Sequence, residues 1–174
     1  MSQPQGFDGS QVALPPSVMT KKDLVHLINE AEAIDSTLTS NYVRDKAQVD
    51  GDIHYETTEK MREFLTINHI NMGEGSSRRT ETIKALRRLK NNAPSIHLTF
   101  AASVDYESLT QIVRWIRDNV EKQAIVSIGL QPGIVGGIHV RTNNKVHDLT
   151  LRKQLEKSRD VLIKEVTEIA GGRK

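Results

Sequence analysis

Six histidines are the side chains in this sequence best suited to chemistry, so their spacing decides whether a metal site is expected. They are His26, His54, His69, His97, His139 and His147. None stands in the His-Glu-x-x-His spacing that places two imidazoles on one helix face. His139 and His147 could face each other across a hairpin, but two histidines without a third ligand make a weak metal site. The sequence therefore predicts no bound metal, and the absence of cysteine excludes thiolate ligands and disulfides.

A second possible chemistry is phosphate binding by the glycine-rich segment from Gly129 to Gly137. A phosphate-binding loop needs Gly-x-x-x-x-Gly-Lys-Ser/Thr before a helix, where backbone N–H groups surround the phosphate. No Lys-Ser/Thr pair follows here, and the segment leads into a predicted strand. We expect these glycines to permit a bulge or the close approach of another backbone. With no Gly-x-Ser-x-Gly motif either, the sequence predicts no active site and no cofactor.

The charge of the chain is distributed unevenly. Residues 1–75 contain 6 Lys/Arg and 12 Asp/Glu, a net charge of −6, whereas residues 76–174 contain 18 and 10, a net charge of +8. This asymmetry suggests an acidic partner for the second half, contact between the halves, or simply solvated helix faces. The basic segment Arg78–Lys90 leaves nucleic-acid binding open as an alternative, although no aromatic platform for stacking bases accompanies it.

The elements that position these residues begin with helices. Residues 1–19 are polar and carry two glycines and a proline pair, and we expect a disordered lead-in. Thr20 can cap a helix running to about Leu38, with a second helix from Thr57 or Thr58 and a third from Arg78 to Leu89. The first helix has apolar residues at helical spacing: Leu24, Leu27, Ile28, Ala31 and Ile34. The sequence thus predicts a small bundle domain over residues 20–92.

The periodicity changes to two after Pro94, which predicts a strand over residues 96–102. A helix capped by Asp105 follows, then a strand over residues 124–130 parallel to the first. Residues 134–141 and 146–148 predict a hairpin through an Asn143-Asn144 turn with positive φ. A long helix from about residue 149 to 169 ends the chain. The predicted fold class is α+β, with a β-α-β-β-β-α domain over residues 95–174.

No apolar run approaches the roughly 20 residues that cross a bilayer. The N-terminus also lacks the basic start and apolar core of a signal peptide. We therefore expect a soluble protein that reaches a membrane only through a partner.

Residues 134–156 read IVGGIHVRTNNKVHDLTLRKQLE and resemble the signature of the delta subunit of F-type ATP synthases, whose mitochondrial equivalent is the oligomycin-sensitivity-conferring protein. The residues that fill the family pattern are Gly136, Gly137, Val140, Arg141, Val146, Asp148, Arg152 and Leu155. The preceding strand-helix-strand order also fits, so the resemblance covers about residues 95–165. We expect Arg141 and Asp148 to pair across the hairpin, and Arg152 to have a carboxylate partner.

The resemblance implies a non-catalytic stator subunit that supports proton-driven ATP synthesis. In that family the helical domain binds the alpha subunits of the catalytic head, and the α/β domain binds the b subunits of the peripheral stalk. It implies no cofactor and no small-molecule substrate, and a peripheral location on the cytoplasmic face of the cell membrane within the synthase. The expected partner contacts are Leu151, Leu155, Leu162 and Val166 of the last helix, and Leu24, Leu27 and Ile28 of the first. Delta subunits usually begin with a larger helical bundle, so here the bundle is reduced or belongs to a divergent lineage.

Overall fold

The computed structural model describes residues 12–51, 53–134 and 136–171. The helices are α1 (Lys21–Lys46), α2 (Glu59–Ile67), a short 3-10 helix (Met72–Glu74), α3 (Ser76–Asn92), α4 (Tyr106–Asn119) and α5 (Leu151–Gly171). The strands are β1 (Ser95–Phe100), β2 (Ile125–Leu130), β3 (Gly137–Arg141) and β4 (Val146–Thr150). A helical part is followed by a mixed four-stranded sheet and a helix, which confirms the α+β prediction.

The chain divides into two compact units, and one of the boundaries between them falls within α4. The first unit contains residues up to 94 together with 110–125, and the second contains residues 95–109 and 126–174. The first unit therefore includes part of the segment that sequence analysis assigned to the second domain.

The first unit is built around α1. Thr20 and Asp23 form a capping box, in which the Thr20 side chain accepts from the Asp23 N–H and the Asp23 carboxylate accepts from the Thr20 N–H. Glu30 ties α1 to the start of α2, because its carboxylate accepts both the backbone N–H and the hydroxyl of Thr58. Arg79 of α3 is buried, and its Nε lies 2.5 Å from Asp35 of α1. These contacts position three helices around one apolar core.

Residues 12–19, here called the strap, are ordered and largely buried, so the predicted disorder of the lead-in was wrong for this segment. The strap buries Val12, Leu14, Pro15, Val18 and Met19. Three of these, Val12, Leu14 and Val18, belong to the same core cluster as α1, α2 and α3. Spaced apolar residues in a polar segment show no helical or strand period, so the sequence pattern alone does not reveal their burial. Residues 1–11 of the predicted lead-in lie outside the described residues.

Hydrogen bonds from side chains to the backbone hold the strap in place. Asn68, the residue that caps the end of α2, donates to the carbonyl of Ala13 and accepts from its N–H, at 2.9 and 2.8 Å. Arg117 of α4 is buried, and its guanidinium donates five hydrogen bonds to four carbonyls, those of Leu14, Pro15, Val18 and Ala124. Burial lowers the pKa of Arg117 to about 10, so the side chain keeps its charge at neutral pH. The strap is therefore an integral part of the first unit.

The second unit contains the sheet, with strand order β2-β1-β3-β4. Two hydrogen bonds at the same chain separation, from Ile125 N to Pro94 O and from Gln131 N to Phe100 O, run parallel along β1 and β2. The other neighbouring pairs are antiparallel. One face of β1 is buried through Ile96, Leu98 and Phe100. The predicted parallel pair and hairpin are thus confirmed.

The hairpin register corrects three details of the sequence analysis. Asp148 lies opposite His139, and Arg141 lies opposite Val146, so Arg141 and Asp148 do not form the expected cross-strand pair. His147 lies opposite Val140, which excludes a facing pair with His139. The turn closes with a hydrogen bond from Thr142 N to Lys145 O, but neither asparagine has positive φ. The four-residue connection from Thr142 to Lys145 places Arg141 opposite Val146 and so fixes this register, which the periodicity could not supply.

Candidate interaction surface

The last helix, α5, carries the most exposed apolar side chains of the second unit. All of its described side chains from Leu151 to Ile169 are exposed, including Leu155 at 61%. α5 contacts β4, the strand that leads into it. None of the described side chains of this 21-residue helix is buried, so they gain no tertiary packing from the described part of the chain. The described apolar side chains of α5 are therefore uncovered in this structure.

Four of the exposed apolar residues of α5 follow helical spacing along one side. They are Leu151, Leu155, Val166 and Ile169, and Leu162 occupies the same side by its position in the sequence, although its side chain lies outside the described part. The steps between these positions are mostly three or four residues or their sum, as in helices that pack side by side. Val161 and Ile163 are also exposed and flank this side, and sequence analysis did not single them out. We call the residues Leu151, Leu155, Leu162, Val166 and Ile169 the α5 seam.

The glycine pair Gly136-Gly137 positions the start of α5. Both residues have positive φ, +88° and +92°, which side chains rarely allow. A Cβ on Gly137 would lie 2.5 Å from the carbonyl oxygen of Leu149, and a Cβ on Gly136 would lie 2.7 Å from Leu151 Cδ1. The carbonyl of Gly136 also accepts a hydrogen bond from Leu151 N at 3.1 Å. The expected close backbone approach is confirmed, and its consequence is to fix the first residue of the seam.

The polar residues of the family pattern make local contacts next to this junction. The carboxylate of Asp148 accepts from Thr150 N at 3.0 Å and lies 3.4 Å from His139 Nε2. Hydrogen bonds from Thr150, and then the His139 imidazole, lower the pKa of Asp148 to about 2. Arg152 has its expected carboxylate partner in Glu156, one turn along α5 at 3.3 Å. That pair is exposed, so it contributes little to stability.

The residues of the first helix that we expected to contact a partner are core residues. Leu24, Leu27 and Ile28 are buried in the cluster that joins α1 to α2 and α3. Sequence analysis assigned them to a surface because an apolar stripe indicates a packed face but not what packs against it. The first unit must therefore present another surface to any partner.

The basic face of α3 is partly neutralised by acidic residues of the same unit. Arg79 pairs with Asp35 and Arg87 pairs with Glu32 at 2.8 Å, while Arg78 lies 4.0 Å from Glu74. Lys84, Arg88 and Lys90 have no carboxylate partner among the described residues. Neutralised arginines release few counterions, so this face is a weak candidate for binding nucleic acid.

No group of three histidine or acidic side chains within the described residues is arranged to hold a metal ion. In the same part of the chain, none of the helices combines the length and the apolar character needed to cross a membrane.

The search of curated proteins returned no match. The family model for the ATP synthase delta (OSCP) subunit matches residues 22–162, which include α1 to α4, the whole sheet and the first half of α5. The strap precedes this matched region. This chain belongs to the ATP synthase delta (OSCP) subunit family, whose members are structural subunits of the ATP synthase peripheral stalk.

Proposed function

We propose that this protein is the stator subunit that ties the catalytic head of an F-type ATP synthase to its peripheral stalk. In this proposal the α5 seam binds the end of the stalk b subunits, and the first unit binds the alpha subunits of the head. The observation that carries the proposal is the exposure of every described side chain of α5. The exposed apolar side of such a helix becomes buried when another apolar surface packs on it, and a helix of the peripheral stalk supplies such a surface.

The mechanism is mechanical. Torque from the rotor would turn the head unless a rigid element linked it to the stalk, and this chain supplies two compact units for that link. It needs no turnover and no cofactor of its own. The proposed location is peripheral, on the cytoplasmic face of the cell membrane, through the partners.

The test is a pull-down of tagged protein from membranes solubilised in mild detergent, with the bound subunits identified. We expect wild-type protein to recover alpha, beta and b subunits. Leu155→Lys should lose the b subunits, because it places a charge in the seam. Leu130→Lys is the matched control, since Leu130 is also 61% exposed and lies in the same unit on β2.

Equal recovery of b subunits with both variants would contradict the proposed stalk contact. Nucleic acid in place of synthase subunits would support the alternative that the basic surface defines the function. Unchanged melting temperatures for both variants would show that the fold is intact.

A further inference from the structure

The first unit carries a concentrated group of exposed apolar residues at the C-terminal end of α1. They are Tyr42 and Val43 in the last turns of the helix, and Val49, Ile53 and Tyr55 in the segment that follows. We call these five residues the α1-end surface. They include two of the three tyrosines in the sequence. Scattered single apolar residues need no explanation on a protein surface, but five within a 14-residue segment make this segment a candidate site for a partner.

This surface is held in a defined conformation. The Asn41 side chain donates to the Ile53 carbonyl and accepts from the Ile53 N–H, at 3.0 and 2.9 Å. Arg44 donates to the carbonyls of Asp50 and Gly51, both at 3.1 Å. These contacts fold the segment back along the last turns of α1. A partner that binds a surface already fixed in this way does not have to order it, which favours affinity.

The charge around the α1-end surface indicates the chemistry of the partner. Residues 44–59 contain five Asp/Glu and two Lys/Arg. Both cations act within the segment, because Arg44 binds loop carbonyls and Lys46 lies 4.8 Å from the centre of the Tyr42 ring. The excess of carboxylates favours a basic partner, and the exposed apolar side chains require an apolar face on it.

From these observations we infer that the α1-end surface is the docking site for a basic amphipathic segment of the catalytic head. This inference rests on the proposed function and specifies which surface of the first unit carries the head contact. It replaces the buried residues Leu24, Leu27 and Ile28, which have no accessible face. The site uses tyrosines as anchors, a residue type enriched at the centres of interfaces.

The test uses the same pull-down from solubilised membranes, with head and stalk subunits quantified separately. Tyr42→Ser and Ile53→Ser should lower recovery of the alpha and beta subunits by more than about tenfold while the b subunits remain bound. Ile67→Ser is the matched control, because Ile67 on α2 is 46% exposed, compared with 45% for Ile53. The Ile53 change leaves intact the backbone groups that bond to Asn41.

Wild-type recovery of the head by both Tyr42→Ser and Ile53→Ser would overturn the inference and leave the stator function standing. Equal loss of the head with Ile67→Ser would also overturn it, since the effect would then not belong to this surface. If wild-type protein recovers no synthase subunits, the proposed function fails, and this inference fails with it.

Discussion

The two longest helices among the described residues, α1 and α5, both carry apolar residues at helical spacing but have opposite surroundings. In α1 the stripe from Leu24 to Ile34 is buried, with Leu24 at 0% exposure. In α5 the corresponding residues are exposed along the whole described length. Helical periodicity therefore predicts that a helix will pack on one side. It does not predict whether the packing partner belongs to the same chain.

The same contrast extends to the two units that contain these helices. The first unit completes its core with its own strap, anchored by Arg117 and Asn68. In the second unit a glycine pair positions the start of α5 next to β4, and no described side chain of α5 is buried. Four predictions test this difference between a unit that covers its own apolar residues and one whose last helix is exposed.

The largest effect is expected when the strap loses its anchor. Arg117→Met should lower the free energy of unfolding by about 4 kcal/mol, because four buried carbonyls lose a charged donor. Chemical denaturation measures the loss, and limited proteolysis between residues 12 and 19 should become faster. Arg114→Met, at an exposed position on the same helix, should change neither quantity. A strap that stays resistant to protease in Arg117→Met would contradict its anchoring role.

The direct test of the comparison is one truncation in each long helix. Leu24→Ala should lower the free energy of unfolding by about 3 kcal/mol, since it leaves a cavity in the core of the first unit. Leu155→Ala should change it by less than about 0.5 kcal/mol, because no described neighbour loses a buried contact. Urea denaturation of the isolated protein measures both. A large loss in Leu155→Ala would mean that the seam is covered within this chain or by a second copy.

The positive φ of the glycine pair should contribute to the stability of the second unit. Gly137→Ala should lower the free energy of unfolding by about 2 kcal/mol, because it combines positive φ with a clash against backbone atoms of Leu149 and Thr150. In the matched control, Gly133→Ala, the new methyl group meets no atom within 4 Å, and its φ is not positive. Thermal unfolding distinguishes them. Similar melting temperatures for the two variants would show that the β4–α5 junction tolerates a shift.

The smallest effect concerns the pH dependence of the hairpin. The pKa of Asp148 is lowered from 3.8 to about 2 in the folded protein, so its contribution to stability is present above pH 3.8 and lost as pH falls through about 2. Thermal melting between pH 4.5 and 2 should therefore decline less steeply in Asp148→Asn than in wild type. Asp118→Asn, on the exposed side of α4, should follow the wild-type curve. Identical melting curves for Asp148→Asn and wild type would show that the contacts of Asp148 with His139 and Thr150 do not contribute to stability.

Local features of the fold could be read from the sequence because they depend on residues close together in the chain. The cap at Thr20 and the strand that alternates Ile96 with His97 follow from local hydrogen bonding and sterics, and the positive φ at position 137 is a conformation that favours glycine. The family pattern from Gly136 to Leu155 also lies in one continuous segment, so it can be recognised in the sequence. For this reason the α+β order and the family could be predicted without coordinates.

The tertiary structure alone decided which apolar residues are covered. Val18 of the strap is fully buried in the core of the first unit, and Arg117, some hundred residues away, binds the carbonyl of that same residue. Leu155 has the same apolar chemistry and stays exposed, because no described part of this chain covers it. Burial depends on contacts between distant segments, and periodicity describes only neighbours along one helix or strand. The sequence alone therefore determined the elements and the family, whereas the folded chain determined which surfaces remain for partners.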